Sequence, residues 1–142
     1  MRRTTVHDLL AEARRCLRRV EPPAAPKEVE TGAVLIDLRS HDERARHGVV
    51  PGALHIPYSV LQWRVDPASE HRNPHVPGLE ARLIVFCADG YSSSLAAASL
   101  QRLGFANAAD LVGGFAAWKA AGLPVRAAAA PAEGLPGMGG PD

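Results

Sequence analysis

The chain has 142 residues, 46% of them hydrophobic and 22% charged, and a formal net charge of +1 at pH 7. That is enough chain to bury one ordinary globular core, and the balanced charge gives no general reason to expect nucleic acid or an acidic partner. No apolar stretch approaches the roughly 20 residues of a membrane span, and no signal-peptide core follows MRRTTVHDLL. Two cysteines, Cys16 and Cys87, are too few for a disulfide framework, so a cytoplasmic setting is expected.

Residues 5–20 are predicted as an amphipathic helix opened by Thr5 and Asp8. At about 100° per residue, Val6, Leu9, Leu10, Ala13, Leu17 and Val20 share one face. Arg14, Arg15, Arg18 and Arg19 fall opposite, as a solvated basic face or a docking surface for a protein partner, and Cys16 is expected as a small buried hydrophobe. Residues 1–21 are thus set apart as an N-terminal helix ahead of a domain over 22–126. Pro22, Pro23 and Pro26 mark a linker, with a helical turn possible before Gly32. Residues 33–38, AVLIDL, read as a buried strand, and Ser40 can cap a short helix ended by Gly48. Pro51-Gly52 supplies a turn before a short strand closed by Pro57, and residues 58–65 suit a helix. Three prolines between residues 66 and 78 predict a long surface loop of the kind that is usually functional or mobile.

The chemistry-bearing stretch is LIVFCADGYSSSL at 83–95. Leu83–Phe86 has the length and composition of a buried strand, and a helix with Leu95, Leu100 and Leu103 follows, opened by the capping serines Ser92, Ser93 and Ser94. Cys87 therefore falls between the carboxyl end of a strand and the amino end of a helix, where α/β folds perform chemistry. Free amides and the helix dipole there favour a thiolate, and Gly90 lets the loop close tightly. Another short strand over 108–112, then Gly113-Gly114 and a helix with Phe115 and Trp118, complete a strand–helix alternation that implies a parallel sheet. From residue 127 onward the chain is Ala, Pro and Gly with almost no large apolar residue, which predicts a disordered tail over 127–142.

With these residues placed, the chain resembles a single-domain rhodanese of the sulfurtransferase family. Four segments match in the family's order: LIDLRS at 35–40, HGVVPGALHIP at 47–57, VFCADGYSS at 85–93 and GGFAAW at 113–118. The resemblance implies an α/β fold, a rhodanese-like five-stranded parallel sheet with helices on both faces. It also implies that Cys87 carries a persulfide between a small-molecule sulfur donor, thiosulfate or a persulfide, and a thiol or cyanide acceptor. The substrate-binding loop would be Ala88, Asp89, Gly90, Tyr91, Ser92 and Ser93. Such a ping-pong cycle needs no metal and no organic cofactor.

Phosphatases of this fold place an arginine six residues after the cysteine, where it clamps phosphate bidentately. Ser93 occupies that position and the loop holds no arginine, which argues against phosphoryl chemistry. Many rhodaneses carry a cation in the loop; here Asp89 and Tyr91 stand instead, and a carboxylate opposes the thiolate. Arg64, Arg72, His71 and His75, in or beside the 66–78 loop, are the candidates to compensate. Asp37 and Arg39, two apart after a strand, suggest an ion pair at the sheet's end with a possible supporting role. His71 and His75 have helical spacing, but Pro74 between them breaks the helix a zinc pair would need. A non-catalytic binding module is the alternative from a different class.

Overall fold

The computed structural model describes residues 2–131 and 133–142. Five strands form one parallel sheet in the order β1-β5-β4-β2-β3. They are β1 (Arg18–Val20), β2 (Val34–Asp37), β3 (Leu54–His55), β4 (Leu83–Phe86) and β5 (Ala109–Leu111). The helices are α1 (Val6–Cys16), α2 (Ala25–Glu30), α3 (His41–His47), α4 (Leu61–Val65), α5 (Ser92–Arg102) and α6 (Gly114–Ala120). The five-stranded α/β sheet expected from the sequence is therefore present.

Strand alternation divides the core in two. Ile36, Leu83 and Val85 face a cluster with Leu61, Leu100 and Phe105, whereas Leu35, Ile84 and Phe86 face one with Ala25, Phe115 and Trp118. Because β4 is covered on both faces, its four residues are all apolar and all buried. Among the described residues no helix is long and apolar enough to cross a membrane.

Two expectations need correction. The helix predicted over 5–20 ends at Cys16, and Arg18–Val20 becomes the edge strand β1, paired with Ala109–Leu111. Leu17 and Val20 share a face on a helix, but on a strand they point to opposite sides. Leu17 packs against one core cluster and Val20 lies in the other. The sheet thus begins inside the segment 1–21 that the pattern set apart. Cys16, in the last turn of α1, is exposed rather than buried.

The Ala/Pro/Gly-rich tail over 127–142 is held by individual hydrogen bonds. Its described residues form no helix or strand, yet they are tied to the domain by donors from elsewhere. Arg64 Nε donates to the Pro136 carbonyl at 2.6 Å. Asn73 Nδ2 donates to the Gly137 and Gly139 carbonyls at 2.8 and 2.9 Å. Gly52 N–H donates to the Asp142 carbonyl at 2.7 Å. Composition predicts disorder from missing apolar burial, and such tail backbone bonds to distant side chains leave no trace in it.

The carboxyl end of β2 carries a buried ion cluster. Asp37 accepts from Arg39 Nε at 3.0 Å and Nη2 at 2.8 Å, and from Arg44 Nε at 3.3 Å. The Arg39 guanidinium also lies 3.8 Å from the centroid of the Phe115 ring. The ion pair read from the sequence is present and gains a second arginine. Asp37→Ala would leave the Arg39 guanidinium buried without a carboxylate, while Arg44 keeps Asp142, so it should lower unfolding stability by about 3–5 kcal/mol, measured by urea denaturation.

Candidate active site

Cys87 follows β4 directly and is 8% exposed, at the base of a cleft of about 420 Å³. Leu38, Arg39, Glu43, Tyr58, Ala88, Asp89, Tyr91 and Ser92 line that cleft with it. Sequence reading placed the loop residues here but missed Tyr58 and Glu43. Glu43 had a visible signal, because it is the third residue after the Ser40 cap and completes a capping box. Nothing local marks Tyr58, which enters through the turn after β3.

The sulfur is met by backbone donors. Gly90 N–H donates to Cys87 Sγ at 3.2 Å and Ser93 N–H at 3.4 Å. The serines were expected to cap α5, but the cap position belongs to Tyr91, whose side chain caps nothing. Cys87 Sγ itself accepts an amide of the first helical turn, as a capping oxygen would. Burial pushes the thiol up, but the Ser92 hydroxyl and the Ser93 and Gly90 amides outweigh it. The net result is a thiol pKa below its ordinary value.

The loop amides can turn inward because the loop carbonyls are satisfied elsewhere. Cys87 C=O accepts from Phe115 N–H at 2.9 Å and Ala88 C=O from Ala116 N–H at 3.0 Å. This requires the backbone of α6 to touch that of the loop. A Cβ at Gly114, whose φ is +62°, would come within 2.5 Å of Cys87 O and 2.8 Å of Gly90 N.

Gly90 C=O is held differently. Arg14 Nη2 donates to it at 2.8 Å and Arg19 Nη2 at 3.2 Å. Arg19 also forks onto buried Asp110, at 3.0 and 3.2 Å, and the same carboxylate accepts the Ser93 and Ser94 hydroxyls at 2.9 and 2.8 Å. The helical pattern puts Arg14 and Arg19 on a basic face turned away from the domain. The structure turns both toward the loop.

The supporting residues proposed from sequence divide. Arg39 borders the Cys87 cleft from its ion cluster, with Asp37 behind it. Arg64 is buried and donates to Pro136 and His71 carbonyls, so it organises the tail and the 66–78 loop instead of compensating Asp89. Arg72 is exposed in that loop and does not border the cleft. His71 and His75 are likewise absent from its described lining, and His75 Nδ1 lies 3.0 Å from Asn73 Oδ1.

Residues 21–121 match the family model of the rhodanese-like domain. The chain belongs to this family. It is 35% identical over 103 residues to the thiosulfate sulfurtransferase GlpE of Ectopseudomonas mendocina, covering 72% of this chain and 85% of that protein. It is 30% identical over 92 residues to a sulfurtransferase of Allochromatium vinosum, covering 65% and 77%. A solved Rhodopseudomonas palustris protein of unknown function, described as a possible tyrosine phosphatase, superposes with a TM-score of 0.79 at 29% identity, covering 89% of this chain and 99% of that one. The rhodanese-like match begins at residue 21, so Arg14 and Arg19 lie outside it.

Two outcomes test this geometry. Iodoacetamide should alkylate Cys87 with a pH profile whose inflection lies below that of a free thiol, because its thiolate forms at lower pH. Gly114→Ala should cost about 1–3 kcal/mol of stability, from the strained φ alone, and should slow that alkylation, because the α6–loop contact must open.

Proposed function

We propose that the protein is a rhodanese-type sulfurtransferase that carries sulfane sulfur on Cys87. The observation carrying this reading is a cysteine sulfur at the end of β4 that accepts two loop amides and borders an open cleft. The Cys87 thiolate attacks the outer sulfur of a donor, a new S–S bond forms, and the donor's own S–S bond breaks. The leaving group, sulfite from thiosulfate or a thiolate from a persulfide, departs with the electron pair. The persulfide's negative outer sulfur is then stabilised by inward amides as an oxyanion would be. A thiol or cyanide acceptor attacks that sulfur and returns the electron pair to Cys87. The cycle requires no metal or organic cofactor.

The surroundings favour a persulfide over thiosulfate as donor. Glu43 and Asp89 both border the cleft, and Asp89 is exposed beside its mouth. Each repels a dianion, and the cleft-lining guanidinium of Arg39 is already engaged by Asp37. The same features weigh against phosphoryl transfer. Ser93 stands where a phosphate-clamping arginine would, and its hydroxyl is donated to the buried carboxylate of Asp110.

Incubation with thiosulfate or a small persulfide should add the mass of one sulfur to the intact protein, and Cys87→Ser should abolish the gain. A gain that survives this substitution removes the assignment, and no gain with either donor favours a binding module. Asp89→Asn should raise kcat/KM for thiosulfate by about two- to fivefold, the factor that up to ~1 kcal/mol of exposed charge interaction supplies. Turnover of a neutral persulfide donor should change less.

A further inference from the structure

The loop that holds Cys87 contains no cation, yet one of its carbonyls is held by two guanidiniums from outside it. We propose that Arg14 and Arg19 are positioning residues for the sulfur-binding loop, supplying from α1 and β1 the positive charge that the loop lacks. Within the sulfurtransferase reading, this makes the N-terminal segment part of the active site.

Cys87 C=O and Ala88 C=O are fixed by α6 amides, and Tyr91 C=O accepts from Ser94 N–H at 3.1 Å. Gly90 C=O takes side-chain donors instead, Arg14 at 2.8 Å and Arg19 at 3.2 Å. No cis peptide occurs among the described residues, so the Tyr91 N–H lies in the same peptide plane as that carbonyl and points the opposite way. Holding the oxygen therefore fixes the orientation of this peptide and of its N–H, on a residue that borders the cleft. Two cations on one carbonyl also polarise the peptide and make its N–H a stronger donor to an anion.

The two arginines contribute unequally. Arg19 is neutralised by Asp110, on which it forks. Arg14 has no carboxylate partner among the described residues; it donates to Gly90 C=O and to Ser94 Oγ, and lies 5.7 Å from the Tyr91 ring centroid. Its charge is thus uncompensated and directed at the loop. Arg19 chiefly fixes geometry, by joining Gly90 to the carboxylate that also holds Ser93 and Ser94.

The test is the pH dependence of Cys87 alkylation in the full chain, which reads the thiolate whether or not sulfur is transferred. Arg14→Gln should move the inflection upward and slow alkylation on the acidic limb by about threefold, the factor for half a pH unit. Arg14→Lys, which keeps the charge, should restore most of the wild-type profile. Arg15→Gln, an exposed neighbour on the same helix, should match wild type. Thermal unfolding of each variant separates a shifted thiol from a loosened fold. If Arg14→Gln unfolds, Arg14→Lys against Arg14→Met provides the same comparison. An Arg14→Gln profile that coincides with wild type, or an Arg15→Gln shift of equal size, overturns the proposal. Failure of the wild-type protein to take up sulfur would instead overturn the sulfurtransferase reading, with the alkylation result still standing.

Discussion

A sulfur anion beside β4 is stable only while the loop around it presents amides to the inside and carbonyls to the outside. Each outward carbonyl then needs its own donor, because a buried carbonyl without a partner costs about as much as a lost hydrogen bond. Much of the architecture near Cys87 answers that requirement. The first two amides after Gly114 reach the carbonyls of Cys87 and Ala88, which explains why α6 must approach the loop backbone-to-backbone with glycine at the contact. The Gly90 carbonyl takes no α6 amide and is met instead by arginines from α1 and the edge strand β1.

Asp110 makes that second solution possible. It is fully buried on β5, between the edge strand β1 and the central strand β4, and accepts from Arg19 and from two serines of α5. A buried carboxylate with this many donors fixes the relative positions of three elements at once. It also explains the serines at the start of α5. Their hydroxyls face the sheet and Asp110, which leaves the helix's free amides to the cysteine sulfur. Asp37 does a parallel task on β2, tying Arg39 and Arg44 beneath the other side of the cleft.

The sequence exposed those parts of the fold whose determinants are local. Leu83–Phe86 is legible because both its faces are covered, so its apolar run is unbroken. Ser40 with Glu43, and Asp37 with Arg39, are legible because the interacting residues lie two or three apart. The parts that escaped depend on distant partners. Arg18–Val20 has too few residues to show a strand period and continues a helical pattern, so only its pairing with β5 reveals it. Arg14 and Arg19 are separated from Gly90 by more than seventy residues, and on a helical wheel they fall on the polar side. The tail's carbonyls are met by Arg64 and Asn73, a different role from the one Arg64's position suggested.

Where the positive charge sits bears on which half of sulfur transfer it can assist. A cation inside the loop, facing the cleft, meets both the anion on Cys87 and an anionic leaving group. A guanidinium behind the Gly90 carbonyl acts through the peptide it polarises, and so favours the thiolate and, in the proposed cycle, the persulfide that would replace it. It does little for sulfite departing on the cleft side, where Glu43 and Asp89 stand instead. A loop organised this way is suited to holding sulfur and to donors whose leaving group carries little charge. Under the proposed sulfur transfer, Asp89 and Tyr91 fit such a loop, in which the nucleophile would be stabilised from behind and the donor selected from in front.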